Sequence, residues 1–206
     1  MTRRIEVHPD APQPRLIRQV VEVLREGGVI AYPTDTCYAL GCAMDSNDGV
    51  RTIQRIRQMN KEHDLSLICR DLAEISNYAR VPNWVYRLLK GHTPGPYTFV
   101  LPAKRDVPRR LQNPKRKTVG IRVPDHQVPA AIVAELGEPI LSSTLQLPGS
   151  DLPMNDGLEI YERLAGQIAV VVDAGSCGIG PSTVVDLTGD HPRVLRAGKG
   201  DPLHFE

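Results

Sequence analysis

A short apolar run at residues 29–32, halted by Pro33 and followed at once by Thr34, Asp35 and Thr36, constrains this chain more than any other stretch. Proline has no N–H for an interior ladder and holds the residue before it in extended geometry, so a strand ends here and hands its polar residues to a loop. Such residues either cap a turn after a buried strand or stand at the rim of a sheet, where open α/β folds place their ligands. Upstream, Leu16, Ile17, Val20, Val23 and Leu24 fall on one stripe at helical spacing, and Gly27 with Gly28 supplies a left-handed stop. A helix packed on a sheet is the first structural expectation.

Further elements follow in order. Asn47 is placed to cap a helix reaching about Met59, with Arg51 and Arg55 four apart and Arg57 and Lys61 near its end. Residues 65–69 read as a short buried strand, and Asp71 with Glu74 as a capping box. Pro82 opens a helix over 84–90 that Gly91 ends, with Trp84, Val85 and Leu88 on its apolar side. A rigid turn, TPGPYT, leads into a strand at 99–101, and further strands are expected at 118–123, 139–142, 168–173, 184–187 and 192–196. Helices are expected at 130–136, stopped by Gly137, and from Asp156 to about Leu164. Helices alternate with strands early and strands crowd together late, which predicts an α/β fold with a mixed sheet. With no linker or repeat visible, residues 1–206 are expected to form one domain.

The formal charge of +1 hides an asymmetry. From Lys104 to Arg122 eight bases face a single acid, Asp106, a local balance of +7, so the remainder of the chain carries −6. The candidates for an anion or nucleic-acid interface are Arg109, Arg110, Lys115, Arg116 and Lys117. Aromatic residues make up 4% of the chain and none interrupts this block, which disfavours base stacking on single strands but suits shape recognition of a duplex. The first residues do not resemble a signal peptide and no apolar stretch is long enough to span a bilayer, so a cytoplasmic protein without a membrane partner is expected. Cys37, Cys42, Cys69 and Cys177 lack paired zinc-site spacing and read as free, mostly buried thiols, with no structural metal. A nucleophilic Cys37 would need a histidine base that no local signature names.

Four corners share one chemistry, a turn followed by serine or threonine: Thr34 and Thr36, Thr98, Ser142 to Thr144, and Ser182 with Thr183. Hydroxyls and bare amides at such corners hold phosphate or carboxylate oxygens, and Arg57, Arg122 and Arg196 are placed to add counter-charge. The run GSCGIGPST is neither a Walker A loop nor a dinucleotide fingerprint, and no HExxH or GxSxG is present.

Taken in order, YPTDTCYALG, TPGPYTFVL, TVGIRVP, PSTVVDLT and VLRAG resemble the YrdC-like family, the threonylcarbamoyladenylate synthases, over nearly the whole chain. RIRQ, CRDL, VPRRL and KRKTVGIRVP are most similar to its YciO branch. The resemblance implies a twisted mixed sheet flanked by helices with a basic concave face. It also implies a site joining L-threonine, bicarbonate and ATP, with Mg²⁺, into threonylcarbamoyl-AMP and pyrophosphate for transfer RNA modification. Carried over by motif, Thr34, Thr36, Arg122 and Ser182 would line the threonine end, and Arg57, Lys61, Thr98, Thr144 and Arg196 the nucleotide end. Two departures stand out. Where the synthases carry Lys-x-Arg-Pro this chain has Arg57, Gln58, Met59 and Asn60, and where they carry Ser-x-Asn it has Thr144, Leu145 and Gln146. These changes leave a second reading open, a non-catalytic binder of double-stranded, transfer or ribosomal RNA that uses the basic face.

Overall fold

The computed structural model describes residues 1–59, 65–105, 107, 112–113 and 115–205. In chain order the elements are β1 (Arg3–Glu6), α1 (Pro14–Arg25), β2 (Ile30–Tyr32), β3 (Ala39–Ala43), α2 (Asn47–Arg57), β4 (Ser66–Ile68), α3 (Leu72–Tyr78) and α4 (Asn83–His92). They continue with β5 (Tyr97–Pro102), β6 (Thr118–Arg122), α5 (Gln127–Leu136), β7 (Ile140–Thr144), α6 (Gly157–Arg163), β8 (Val170–Asp173), β9 (Thr183–Asp186) and β10 (Arg193–Arg196). A 3-10 turn, Pro202–Phe205, seats Phe205 among His92, Tyr97 and Phe99.

Among the described residues ten strands join one twisted mixed sheet in the order β1-β8-β2-β3-β7-β4-β6-β5-β9-β10. Four neighbouring pairs are parallel, β1/β8, β2/β8, β4/β6 and β5/β9, and the rest antiparallel. The predicted α/β class with a mixed sheet flanked by helices is therefore the observed one.

Successive strand residues point to opposite faces, and the two faces are finished differently. On one, Leu40, Leu67, Phe99, Ile121, Leu141 and Val185 pack under α2, α3, α4 and α6, whose Ile53, Ile75, Leu89 and Ile160 join the same core. On the other, α1 and α5 bring Val20, Leu24, Ile132 and Val133 onto Ile30, Tyr32, Ile140, Val170 and Val172. That second layer covers the β8-β2 side of the sheet, reaches only Ile68 of β4, and includes no residue of β6, β5 or β9. The uncovered half is where a ligand can reach the sheet.

Several boundaries differ from expectation. The cap of α2 is Ser46, whose Oγ accepts from Gly49 N at 2.9 Å, and not Asn47; the helix stops at Arg57 because Gln58 takes a left-handed conformation, φ 48°. Gly91 lies inside α4, which runs to His92. Trp84 is only partly buried, and Leu89 takes the core position beside Val85. The helix expected at 130 starts at Gln127, capped by His126. Strands β1 and β3 have no counterpart in the sequence reading. Asp71 and Asp156 cap their helices as expected, accepting from Glu74 N and Glu159 N.

Candidate functional site

The open half of the sheet has a floor of small side chains. Strand register sets Ser142 opposite Ser66, Ser66 opposite Gly120, and Gly120 opposite Val100, so these residues form one row across four strands. Their small volume, with no helix above, leaves a cavity of about 400 Å³, within the range of roughly 300 to 1,000 Å³ typical of ligand sites. Thr118, Gly120 and Arg122 of β6 face it, while Val119 and Ile121 between them enter the covered core. The alternation that builds the core thus also exposes the site.

Three guanidinium groups line this cavity, each brought by a different device. Arg122 is the last residue of β6 and only 6% exposed. Its Nη2 donates to Thr36 Oγ1 at 2.9 Å and Thr34 Oγ1 at 3.3 Å, and it pairs with Asp35. Arg57 closes α2 and donates to the Thr144 carbonyl, and the left-handed turn at Gln58 then sets Met59 on the cavity wall. Arg196 sits where β10 shifts register against β9 between Val194 and Arg196, a bulge that re-aims side chains. Its Nη2 and Nε donate to the Ser182 carbonyl at 2.9 and 3.3 Å. Ser182 Oγ in turn shares a 2.7 Å hydrogen bond with Thr98 Oγ1.

The electrostatics of this wall suit an anion. Burial lowers the pKa of both Arg57 and Arg196; repulsion from Arg196 adds to the effect on Arg57, and from Arg122 to that on Arg196. Arg57 Nε, Arg122 Nε and Asp35 Oδ2 are buried without a hydrogen-bond partner among the described residues. Among the described lining residues there is no carboxylate to neutralise the guanidinium groups. Buried, unpaired donors cost about 1 to 3 kcal/mol each, and an anion reaching them would recover that.

The expected site residues are thus largely gathered together. Thr98, Arg122, Thr144, Ser182, Arg57 and Arg196 line one cavity. Thr34 and Thr36 do not; they stand behind Arg122 as acceptors, and Thr34 Oγ1 also donates to the Cys37 carbonyl at 2.7 Å. Lys61 lies outside the described residues, as do Arg109 and Arg110. Lys115, Arg116 and Lys117 are exposed, away from the cavity; Arg116 and Lys117 border a separate hollow with Arg80, Lys104 and Arg105. Cys37 lines the cavity, but burial raises its pKa, and the one side-chain hydrogen bond of its Sγ among the described residues is with Thr36 Oγ1 at 3.8 Å. That is not a nucleophile with a base.

Three groups escaped the sequence reading. Ser66 and Gly120 form the floor only through strand register, and Asp35 binds Arg122 across 87 residues. A glycine flanked by Val119 and Ile121 was the available sign, since a glycine inside a strand often marks close approach of a ligand or another backbone. Gly178 is a further case: a Cβ there would lie 2.3 Å from the Thr36 carbonyl, so only glycine lets the 175–181 loop close on the 34–36 loop. Lys199 fastens the same loop by donating to the Asp35 carbonyl.

Comparison with known proteins agrees with this picture. The Sua5/YciO/YrdC family model, described as telomere recombination, matches residues 22–198. Escherichia coli YciO is 49% identical over 205 residues, covering all of both chains, and its crystal structure superposes with a TM-score of 0.96. The threonylcarbamoyl-AMP synthase of Bacillus subtilis is 33% identical over 195 residues, 94% of this chain but 55% of the synthase. A crystal structure of P. abyssi Sua5 complexed with L-threonine has a TM-score of 0.87 at 28% identity, covering 96% of this chain and 58% of that one. This chain belongs to the Sua5/YciO/YrdC family.

Proposed function

We propose that the cavity binds an adenine nucleotide together with L-threonine, and that the protein acts as a threonylcarbamoyl-AMP synthase of reduced rate. The observation that carries this reading is the convergence of Arg57, Arg122 and Arg196 on one hydroxyl-lined cavity, two of them with Nε donors that have no partner among the described residues. The synthase relative and the threonine complex of P. abyssi Sua5 support the choice of ligands. In the reaction, the threonine amine forms a C–N bond with the carbon of bicarbonate as water leaves. A carbamate oxygen then attacks the α-phosphorus of ATP and pyrophosphate departs.

Arg122, held rigid by the 34–36 loop, would take the threonine carboxylate. Arg57 and Arg196 would neutralise charge growing on the phosphates, which is the main service a protein gives phosphoryl-type transfer. Mg²⁺ would enter with ATP, because the described lining residues include no carboxylate to hold it and hard cations take oxygen ligands. The reduced rate follows from Met59 and Gln146. Met59 Sδ accepts from Ser143 Oγ at 3.6 Å and offers no proton, and the Gln146 amide donates to the Ser150 carbonyl at 2.8 Å. Losing one cationic contact of a few kcal/mol slows adenylation about 100-fold or more. Incubation with ATP, L-threonine and bicarbonate, followed by measurement of pyrophosphate and of the acyl-adenylate by mass spectrometry, tests the proposal. Absence of product together with absence of nucleotide binding at millimolar concentration would refute it.

A second reading is favoured by the hollow that Arg80, Lys104, Arg105, Arg116 and Lys117 border without a carboxylate among its described lining residues. It shares the β5-β6 hairpin with the cavity: Lys117 and Pro102 face the hollow, Thr118 and Val100 the cavity. Structured RNA lying there would bind through phosphates, with affinity falling linearly in log-log against salt. A duplex RNA titration at several salt concentrations that shows no binding, or no salt slope, would remove this reading.

A further inference from the structure

We infer that a second cavity, at the end of β6 just beyond Arg122, binds a zwitterionic amino acid with an apolar or aromatic side chain, and that its occupant acts as an effector of the first cavity. Its volume, about 400 Å³, equals that of the first, and the two share no described lining residue. Three segments wall it: the start of α3, the exposed side of α4 with the turn that follows, and the β6-α5 turn. The floor is apolar, formed by Leu72, Pro94, Val123 and Pro124, and the Tyr86 ring, 46% exposed, stands beside it. An apolar hollow of this size with a few polar groups converging on it is the usual form of a small-molecule site.

The polar groups select the ligand. Arg70 Nε and Asp71 Oδ2 pair with each other at 2.8 Å, and Asp71 Oδ1 accepts from Glu74 N, so these two charges satisfy one another. His126 adds no charge at neutral pH: its Nδ1 accepts from Val128 N, and burial lowers its pKa. There remain one ammonium group, Lys90 on α4, and one carboxylate, Asp125 on the β6-α5 turn, neither with an ion pair among the described residues. A cation and an anion on separate walls above an apolar floor complement a zwitterion, its carboxylate toward Lys90, its ammonium toward Asp125 and its side chain against Leu72, Val123 and Tyr86. A ligand with a single charge leaves one wall unmatched.

The end of the strand links the two cavities. Cys69 N donates to the Arg122 carbonyl and Gly95 N to the Val123 carbonyl, both at 2.9 Å, so the end of β6 is clamped between segments that wall the second cavity. Val123 lines that cavity and Arg122 the first. An occupant that displaces Val123 therefore moves the backbone that carries the Arg122 guanidinium, and by linkage a ligand on Arg122 changes the effector's affinity by the same factor.

Nuclear magnetic resonance titration of the full, isotope-labelled chain with L-phenylalanine, 2-phenylethylamine and 3-phenylpropionate tests this. Expected are saturable shifts of the Leu72, Lys90, Asp125 and Gln127 amides with a phenylalanine Kd of about 1 mM or tighter, and binding weaker by about threefold or more for each singly charged analogue. The Arg122 Nε–H resonance should move along the same saturation curve. Lys90→Gln should weaken phenylalanine binding by about threefold or more, and Ala130→Trp, at an exposed position of α5 on the cavity wall, should abolish it while leaving the urea midpoint unchanged. Equal affinity for all three probes, shifts confined to Ser66, Gly120 and Ser142 of the first cavity, or no saturable shift at about 10 mM would overturn the site. A fixed Arg122 resonance while the site fills would overturn the effector role.

Discussion

Arg122 shows how one side chain joins fold and site. Its Nη2 is shared by two hydroxyls and a carboxylate from a loop nearly ninety positions earlier, so the cation is fixed in the cavity wall before any ligand arrives. Preorganisation of this kind removes an ordering cost from binding. Arg122→Ala should destabilise the protein by roughly 3 to 5 kcal/mol in urea denaturation, because it strands the buried Asp35 carboxylate. Asp35→Asn combined with Arg122→Ala should recover much of that loss while leaving ligand binding absent, which separates structure from function. At Thr98, replacing the hydroxyl by Val removes its bond to Ser182 and should cost about 0.5 to 1.5 kcal/mol of stability.

At this scale the sequence was a good guide to arginines and hydroxyls at turns, because their chemistry is visible without coordinates. It could not show that Thr34 and Thr36 serve Arg122 and do not face the cavity, since that depends on which side of a loop each hydroxyl takes.

Among the elements, α5 carries a pH-sensitive start. His126 Nδ1 accepts from Val128 N at 3.1 Å as the N-cap, and burial lowers the ring's pKa from its ordinary 6.5. A protonated ring has no lone pair for that bond. The unfolded chain binds this proton more readily than the folded one, so stability falls as pH drops below about 6.5. His126→Asn, which keeps a capping acceptor, should flatten the change in urea midpoint between pH 7 and pH 5; an unchanged slope would place the pH dependence elsewhere. The acid Asp35 favours the charged ring and opposes burial, though it ranks behind it.

Elements with a strong stripe or a clear cap were legible: α1 and α6 lie within a residue or two of expectation, and α3 starts at its expected cap, Asp71. β1 was not, being a polar edge strand with one buried residue, Ile5. β3 follows the 34–36 loop without a turn signal of its own and is buried along its whole length, so it shows no alternation.

For the molecule as a whole, function follows from an incomplete layer. Ten strands form a sheet with helices on both faces, yet α1 and α5 cover only part of the second, and the floor they leave is Ser142, Ser66, Gly120 and Val100. Filling that floor should erase binding without harming the core. Gly120→Val adds volume into the cavity beside Ser66 Oγ, which a Cβ would meet at 3.1 Å, and should keep a cooperative unfolding transition while weakening nucleotide binding by about tenfold or more. By contrast Leu67→Ala, in the covered face of the same sheet, should cost about 2 to 5 kcal/mol of stability. The pairing order that lines up this floor joins strands far apart in the chain, which is why residue patterns alone could not disclose it. No helix is long and apolar enough to cross a membrane among the described residues.

The most direct test is a crystal structure of the protein grown with L-threonine and an adenine nucleotide. The account expects one cavity to hold both, with the threonine carboxylate on Arg122 and phosphate oxygens on Arg57 and Arg196. Ligand density elsewhere on the surface, or a cavity with those three guanidinium groups left unpaired at saturating ligand, would contradict it.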